Sequence, residues 1–381
     1  MEKKPKAIEF LNKNFKAKYK WSASQAKRPF RSIFECCKEG SQRSFILSKE
    51  ENLSICEDFE SCNFLSDISI EKMQLISVDY SISREPSVVC SFSSGHLLIM
   101  NPMLRKRGPF KWINTKTKPY SEKIPLFSKW VSENSFIVLF GDNLLWEFNK
   151  NLAGEDEVYI KSAVNQSMNS QRPIFPFPNS RPNANPTNHW KLSIGQISEI
   201  EPAPLAKGNL LAAITGKSIR VLDLQTSILA STLFSYFANF LCVAWSPEGT
   251  LLLAGGEDDC IHAWNTTSWE LQFKGLGHTS WVSSIFCKFD GFAYLLASVG
   301  HDGNLLLWEH RLYNSIPLQD PAQTSLPVTA NYPSRLNQTI IEPITSVQVS
   351  EIPLEKVAFH KESLFIFDCE GNLNMWININ G

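Results

Sequence analysis

Short hydrophobic runs of about six residues alternate along the chain with turns that contain glycine or an acidic residue, and this pattern predicts successive β-strands. Three stretches superpose without gaps over eleven positions: Ala254–Trp264, Ser298–Trp308 and Ile366–Trp376. Each consists of a strand, a turn and a second strand that ends in Trp. Weaker copies end in Leu, Met or Phe, and they are Ala212–Leu222, Cys90–Met100 and Phe136–Phe148. The repetition predicts an all-β fold built from similar units.

The distance between equivalent positions identifies the unit. Leu222 and Trp264 are 42 residues apart, and Trp264 and Trp308 are 44 apart, which is the period of a four-stranded propeller blade. Counting strands predicts seven blades, near residues 30–62, 63–120, 121–175, 190–236, 237–278, 279–350 and 351–381. Only five residues follow Trp376, so we expect an N-terminal strand, Phe15–Trp21, to supply the last outer strand and close the ring.

This count divides the chain into two parts. We expect residues 1–29 to form a basic N-terminal segment that includes the ring-closing strand, and residues 30–381 to form the seven-bladed propeller. Two segments rich in Asn, Ser and Pro do not fit the repeat and are predicted to be loop insertions near 151–189 and 313–343. After the second insertion, Ile344–Ser350 is predicted to return as the outer strand of the sixth blade.

One repeat resembles the consensus of the WD-repeat β-propellers, which have a Gly-His dipeptide near the start of the repeat and a Trp-Asp-like pair at its end. In this chain these are Gly277-His278 and Trp308-Glu309. In that family a His, a Ser, an Asp and a Trp form a hydrogen-bonded structural tetrad, and the resemblance assigns these roles to His278, Ser298, Asp302 and Trp308. Other repeats keep an acidic residue in the turn but lack the His and Ser, so we expect apolar packing to hold those blades.

The same residue types also suit a hydrolase triad of Ser298, His278 and Asp302. We favour the structural role, because the chain has no Gly-x-Ser-x-Gly elbow and the tetrad accounts for each polar group. The acidic turn Glu257–Asp259 is a second candidate, for calcium, but we favour an inter-strand turn that happens to be acidic. No nucleotide-binding, zinc-protease or kinase motif occurs. We therefore expect no catalytic residue, no metal site and no cofactor, and a protein that is not an enzyme.

The amino-acid composition limits the classes of partner that we expect this protein to bind. The chain has 37 Lys plus Arg against 38 Asp plus Glu, and 43% of its residues are hydrophobic, which excludes a disordered chain and gives no overall field for nucleic acid or anionic membrane. The nine cysteines form no Cys-x-x-Cys pair and predict reduced thiols. The N-terminus lacks the apolar core of a secretory signal, so we expect a cytoplasmic and/or nuclear protein.

An uncharged stretch between Asp223 and Glu248 approaches the length of a membrane span. Turn-forming residues divide it into Ile228–Phe234 and Phe240–Trp245, so we predict two strands and no membrane partner. The first fifty residues carry 13 Lys plus Arg against five Glu, with aromatics between them, a mixture that also suits RNA. A solvated face on the closing strand explains the same composition, and we expect no nucleic-acid partner. Arg105–Arg107 is a short candidate nuclear-import patch.

Three aromatic residues mark the candidate binding surface. Tyr236, Phe237 and Trp281 follow the loops that enter two successive blades, where a propeller presents its narrow face around the central channel. A large apolar side chain at such a loop end has no core to fill, and aromatics are enriched at the energetic centres of interfaces. We favour an interface over packing on neighbouring loops.

Several strings resemble a narrower group, the family of the animal WD-repeat protein twenty and the fungal catabolite-repression protein creC. Ser235–Cys260 is similar to its Ser-Tyr-Phe-Gly-Gly, Cys-x-x-Trp-Ser-Pro-Asp-Gly and Gly-Gly-Glu-Asp-Asp motifs. Gly275–Val282 is similar to its Gly-His-Gly-His-x-Ser-Trp-Val motif, with Leu276 in place of the first His. Further similar strings are Phe92–Pro102, Asn185–Lys191 and Glu370–Trp376. The resemblance covers roughly residues 85–381. Ala238-Asn239 replaces the family's Gly-Gly pair, which predicts a stiffer or displaced loop after Phe237.

The resemblance implies a non-catalytic scaffold that binds and allosterically activates a ubiquitin-specific cysteine protease, together with a second, larger WD-repeat protein. It also implies that Phe237 and Trp281 contact the protease, and it connects the protein with carbon catabolite repression. Two alternatives stay open. One is a general WD-repeat scaffold in a ubiquitin ligase or trafficking complex, and the other is an RNA-associated propeller.

Overall fold

The structure is a computed structural model. It describes residues 15–21, 30–37, 43–49, 52–56, 64–69, 75–81, 87–101, 111–114, 124–152, 172–176, 185–289, 291–311, 339–360 and 363–378. Apart from a single 3-10 turn at Leu205–Lys207, the regular elements in these ranges are all strands, as the alternating pattern predicts. The all-β prediction is therefore confirmed.

Thirty strands follow one another along the described ranges. The first nine are β1 (Phe15–Trp21), β2 (Phe30–Cys37), β3 (Arg43–Lys49), β4 (Asn52–Cys56), β5 (Phe64–Ser69), β6 (Leu75–Ser81), β7 (Ser87–Phe92), β8 (His96–Met100) and β9 (Lys111–Asn114). The next nine are β10 (Pro125–Trp130), β11 (Ser135–Phe140), β12 (Leu144–Asn149), β13 (Ile174–Pro176), β14 (Asn188–Leu192), β15 (Glu199–Pro202), β16 (Leu210–Thr215), β17 (Ser218–Asp223) and β18 (Ile228–Phe234). The remaining strands are β19 (Phe240–Trp245), β20 (Leu251–Gly256), β21 (Cys260–Asn265), β22 (Leu271–Leu276), β23 (Val282–Phe289), β24 (Ala293–Gly300), β25 (Asn304–Arg311), β26 (Thr339–Ile341), β27 (Thr345–Gln348), β28 (Leu354–His360), β29 (Ser363–Asp368) and β30 (Leu373–Asn378).

In the described part of the chain these strands form seven sheets, which are the blades. Blade 1 contains β2–β5, blade 2 contains β6–β9, blade 3 contains β10–β14 and blade 4 contains β15–β18. Blade 5 contains β19–β22 and β26, blade 6 contains β23–β25 and β27, and blade 7 contains β28–β30 and β1. Consecutive strands within a blade are antiparallel because short turns join them.

The N-terminal strand closes the ring. β1 pairs antiparallel with β30 from Phe15 opposite Asn378 to Trp21 opposite Leu373, so blade 7 takes one strand from the start of the chain and three from its end. Without β1, the edge of β30 is left unpaired. The prediction that Phe15–Trp21 completes the last blade is confirmed.

The structure differs from the sequence prediction at two limits between blades. Residues 63–69 were predicted to begin the second blade, but β5 (Phe64–Ser69) pairs with β4 in blade 1, because no recognisable repeat marks the blade limit in this part of the chain. The second difference lies between blades 3 and 4. Residues 190–192 were assigned to the fourth blade, but β14 pairs with β12 in blade 3, with Leu145 opposite Trp190. The pairing of β14 with β12 could not be predicted, because the long connection after Asn149 removes the repeat spacing that would mark the outer strand. Both predicted insertions also contribute a strand: β13 pairs with β14, and β26 runs parallel to β22 in blade 5. Residues 153–171, 177–184 and 312–338 of these insertions lie outside the described residues.

The core consists of apolar layers between neighbouring blades. One layer joins blades 4 and 5 through residues such as Ile219, Leu252 and Trp264, and another joins blades 5 and 6 through residues such as Phe273 and Ile285. All five of these side chains are buried. Similar layers join blades 2 and 3, blades 3 and 4, and blades 6 and 7, so the described side chains pack blade against blade from blade 2 to blade 7, as expected for a propeller.

Backbone hydrogen bonds to inner-strand carboxylates also join the blades. Asp79 in blade 2 accepts the Trp130 amide of blade 3 at 2.6 Å, and Glu199 in blade 4 accepts the Val243 amide of blade 5 at 3.2 Å. The indole N–H of Trp245 donates to the carbonyl of Glu201 at 3.0 Å. The blades are thus joined by polar bonds near the channel and by apolar side chains further out.

The stretch weighed as a membrane span consists of β18 and β19, with the bounds that the sequence predicted. Among the described residues, no helix has the length and apolar character to cross a membrane.

Deleting residues 1–21 tests the ring closure. The deletion removes β1 and exposes the edge of β30, so we expect the thermal unfolding midpoint to fall by ~5 °C or more and monomers to give way to oligomers. Differential scanning fluorimetry and size-exclusion chromatography measure both effects. The matched control is deletion of residues 1–12, which keeps β1 and should behave like the intact chain. Identical behaviour of the two deletions contradicts the closure.

Candidate functional site

The structure places the four predicted tetrad residues in one hydrogen-bonded chain in blade 6. His278 Nε2 lies 2.8 Å from Ser298 Oγ, and Trp308 Nε1 donates to the same oxygen at 2.8 Å. On the other side of the ring, His278 Nδ1 lies 2.9 Å from Asp302 Oδ2. These hydrogen bonds connect the entry loop of the blade, two central strands and the turn between them.

These contacts determine the ionisation of Asp302. The indole N–H of Trp308 can only donate to Ser298 Oγ, so the hydroxyl proton is free to point at His278 Nε2, and Nδ1 of the same ring faces Asp302. Burial by itself raises the pKa of Asp302, but hydrogen bonds from His278 and from the Thr279 and Asn304 amides lower it to about 2. Asp302 is therefore ionised at neutral pH.

The tetrad geometry does not suit hydrolysis. Ser298 is fully buried, at 0% exposure, so a substrate cannot reach its oxygen. That oxygen also accepts the hydrogen bond from Trp308. The tetrad therefore ties strands together, and its effect on the surface passes through the loop that follows His278.

This loop positions Trp281. The Thr279 amide donates to Asp302 Oδ2 at 3.0 Å, and the His301 amide donates to the Trp281 carbonyl at 2.8 Å. A Cβ on Gly300 would lie 2.7 Å from the same carbonyl, so only glycine fits there. The Trp281 ring lies 5.3 Å from the ring of His301 and is 44% exposed. Trp281 is thus held on one side and open to solvent on the other.

The preceding loop, residues 235–239, is fixed at both ends. The Ser235 amide donates to the Lys217 carbonyl at 2.9 Å, and the Asn239 side chain donates to Glu257 at 2.9 Å. Between these anchors, Tyr236 is 87% exposed and Phe237 is 82% exposed. The Asn239 side chain therefore ties the end of the loop to the neighbouring turn by a hydrogen bond, which a glycine at this position could not make. The loop exposes two aromatic rings to solvent.

Acidic residues and a cleft lie next to the two loops that carry these aromatic side chains. A cleft of about 500 Å³ beside the loop is lined by residues that include Gln196, Thr215 and Glu257. Asp259 lies in the acidic turn, where burial and the nearby carboxylates of Asp258 and Asp302 raise its pKa. We call Tyr236, Phe237 and Trp281 the aromatic surface. It combines apolar rings with neighbouring negative charge.

Blade 5 departs from the expectation of purely apolar packing. His262 Nε2 lies 2.9 Å from Asp258 Oδ2, and the His262 ring stacks on Trp264 at 5.6 Å with an interplanar angle of 10°. His262 lies on the central strand β21, directly opposite Ala254 on β20. Ala254 is the blade 5 equivalent of Ser298 in blade 6. The small Ala254 side chain leaves room for the imidazole ring, so blade 5 keeps a His–Asp contact by a different route.

The described residues contain no cluster of His, Cys, Asp and Glu arranged to hold a metal ion. In the turn considered for calcium, Asp258 contacts His262 and has Lys274 Nζ at 3.9 Å. Side chains of the basic N-terminal residues and of the Arg105–Arg107 patch lie outside the described residues.

Charged side chains on the innermost strands, around the central channel, were not predicted from the sequence. Asp79, Lys129, Glu199, Glu201 and Lys356 lie on the innermost strands of blades 2, 3, 4 and 7. Lys129 Nζ lies 2.5 Å from Glu201 Oε2. Lys356 is exposed by surface area, but partial desolvation by the surrounding protein and the positive charge of Lys129 lower its pKa. Burial raises the pKa of Asp79 to about 6 and that of Glu199 to about 7. The only trace in the sequence is one or two charged residues within each of the inner strands β6, β10, β15 and β28.

The described residues thus have the all-β fold of a WD40 β-propeller. The family described as "WD domain, G-beta repeat" matches residues 230–265 and 269–309, which include the aromatic surface and the tetrad.

Comparisons with individual proteins agree with this class. "UBP9-binding protein bun62" of Schizosaccharomyces pombe is 27% identical over 196 residues, which are 42% of this chain and 36% of that protein. The chain thus matches about a third of the length of this curated relative. The WD40 beta propeller domain of Doa1 has a TM-score of 0.59 at 9% identity and covers 95% of this chain and 96% of its own. A chain of the Mitotic Checkpoint Complex has a TM-score of 0.58 at 14% identity, with 88% and 84% covered. These two structures support the fold alone.

Replacing Ser298 with Ala tests the tetrad. The substitution leaves Trp308 Nε1 and His278 Nε2 buried without their partner, so we expect the free energy of unfolding to fall by ~2–3 kcal/mol. Urea unfolding followed by fluorescence measures the loss. The matched control is Ser198→Ala at an exposed serine, which should change stability by less than ~0.5 kcal/mol. Equal effects of the two substitutions contradict the role of Ser298.

Replacing Glu199 with Gln tests the channel charges. The folded protein raises the pKa of Glu199 from 4.5 to about 7, so it binds the proton more tightly than the unfolded chain does. The free energy of unfolding therefore falls as the pH rises through this interval. Gln keeps an oxygen acceptor for the Val243 amide but carries no charge. We expect Glu199→Gln to gain thermal stability relative to wild type between pH 5 and pH 8, and a constant difference contradicts the assignment.

Proposed function

We propose that this protein is a non-catalytic WD-repeat scaffold that binds and activates a ubiquitin-specific cysteine protease through its aromatic surface. The observation that carries the proposal is the exposure of Tyr236 and Phe237, at 87% and 82%, on a loop anchored at both ends. A loop that is anchored before binding loses less backbone conformational entropy when a partner covers it.

The energetics favour a small apolar contact as the binding centre. Fully burying one exposed aromatic ring contributes ~2–3 kcal/mol. Phe237 and Trp281 precede the innermost strands of adjacent blades, β19 and β23, which pack against each other. One partner surface can therefore cover both rings, while the acidic residues nearby favour a complementary basic rim.

The named relative supports the choice of partner. It is 27% identical over 196 residues, and its name records binding to UBP9, a ubiquitin-specific protease. We extend this binding to the present chain. A second, larger WD-repeat protein is the expected third component, and carbon catabolite repression in the cytoplasm and/or nucleus is the setting that the family resemblance favours.

Activation has to be allosteric in this proposal. The scaffold contributes no catalytic group, so it raises turnover only by binding the competent conformation of the protease more tightly than the idle one. The closed ring suits this role, because a rigid surface selects one shape of its partner.

The alternatives differ in measurable ways. A scaffold for a ubiquitin ligase or trafficking complex would use the same aromatic surface without raising protease turnover. An RNA-associated propeller would bind through basic side chains, so its affinity would fall steeply with salt. Binding centred on apolar rings depends only weakly on salt.

Titration of ubiquitin-substrate hydrolysis tests the proposal. The purified protein is added to ubiquitin-specific proteases from the same organism, and turnover is measured against its concentration. We expect wild type to raise turnover, and Phe237→Ala and Trp281→Ala each to require roughly thirtyfold more protein, equivalent to ~2 kcal/mol.

The matched control is Phe292→Ala. Phe292 is 84% exposed in the turn between β23 and β24, at the opposite end of β23 from Trp281. This variant should activate like wild type. Equal activation by all four proteins overturns the aromatic surface as the binding site, and absence of activation with every such protease overturns the function.

A further inference from the structure

We propose that the outer edge of blade 4, strand β18, binds an extended acidic segment of a partner protein as an additional parallel strand. This site is separate from the aromatic surface and does not depend on the function proposed above. Its occupant is a peptide segment recognised by main-chain hydrogen bonds and by one carboxylate.

The edge of β18 lacks the usual protection against strand addition. Its seven residues, Ile228–Phe234, include no charged residue and no proline. The other outermost strands in the described part of the chain are charged, interrupted by proline or short: β1 has three lysines, β5 has Asp67, β9 has Lys111, β13 has Pro176, and β26 and β27 have three and four residues. Proteins normally protect free edges in such ways.

Blade 5 shows what fits at the equivalent edge. There β26 runs parallel to β22, with Ile340 opposite Lys274. β18 and β22 have the same geometry, because each pairs with its inner neighbour and carries one bulge at the corresponding position. In this register Thr232 is equivalent to Lys274, and the place that β26 fills in blade 5 has no described strand in blade 4.

A cation at this edge specifies the charge of the occupant. Arg220 lies opposite Thr232, and its Nη1 donates to Thr232 Oγ1 at 2.9 Å. The Arg220 Nε is buried without a hydrogen-bond partner, and no carboxylate in the described residues lies within ion-pair distance of its guanidinium. In an added strand, the residue opposite Thr232 points to the same face, where a carboxylate can reach the guanidinium.

Exposed apolar side chains at the two ends of β18 complete the site. Phe234 is 58% exposed with the Arg220 guanidinium 5.9 Å from its ring centre, and Ile228 is 57% exposed. A segment with β-branched residues on either side of its acidic residue covers the Phe234 ring while the carboxylate pairs with Arg220.

The probe is a blocked synthetic peptide, Thr-Val-Thr-Glu-Thr-Val-Thr, with the Glu placed to lie opposite Thr232. Isothermal titration calorimetry measures its affinity for the full chain, and hydrogen exchange with mass spectrometry locates the protected amides. We expect saturable binding with a Kd below ~1 mM and new protection of residues 231–234. Arg220→Glu should weaken binding by about tenfold or more, and should bind the matching peptide with Lys in place of Glu more tightly than wild type does.

Two further variants keep the test independent of folding and of the aromatic surface. Arg220→Lys keeps the charge and should retain most of the affinity for the Glu peptide. Phe237→Ala should bind the peptide like wild type. Absence of binding, protection elsewhere, or equal affinity for the Glu and Lys peptides overturns the proposal. Full protection of residues 231–234 before peptide is added also overturns it, because the edge is then covered by the chain itself.

Discussion

The apolar layer between neighbouring blades is the interaction on which the whole structure depends. Each blade is a small twisted sheet with two apolar faces, so it can bury them only against two other blades. A closed ring gives every blade both neighbours, and closure requires β1 to pair with β30, more than 350 positions later in the chain. Near the axis, carboxylates such as Asp79 and Glu199 accept backbone amides of the next blade and fix the angle between blades.

The aromatic surface follows from this packing. Because Val282 fills the space next to Gly255 and Cys242, blades 5 and 6 meet closely where the loop of residues 278–281 ends. The tetrad then fixes the loop through Asp302, which accepts the Thr279 amide. The neighbouring loop is fixed through Asn239 and Glu257. Polar contacts in two blades therefore fix the two loops that carry the three exposed rings, so substitutions at these contacts can change binding at the surface.

Local patterns predicted much of this fold. The bounds of β18 and β19, the closing strand and the spacing of blades 4 to 6 follow from hydrophobic runs and turns that lie close together in sequence. The repeat also placed His278, Ser298, Asp302 and Trp308 at positions where the structure has them hydrogen-bonded. The assignment of β14 was wrong, because a long insertion separates it from β12 and removes the spacing on which the prediction relied.

Other features depend on contacts that no local pattern contains. The channel charges lie on strands from four blades and meet only when the ring closes. The His262–Asp258 contact depends on the small side chain of Ala254, and β26 joins blade 5 from an insertion that leaves blade 6. Binding of a partner by Tyr236, Phe237 and Trp281 likewise depends on the partner's surface, which this sequence does not contain.

The most direct measurement is the hydrogen-exchange footprint of this protein in complex with a ubiquitin-specific protease that it activates. Binding at the aromatic surface predicts protection of residues 235–238 and 279–281 and none at the turn of Phe292. Protection confined to the Phe292 side of the propeller would contradict it.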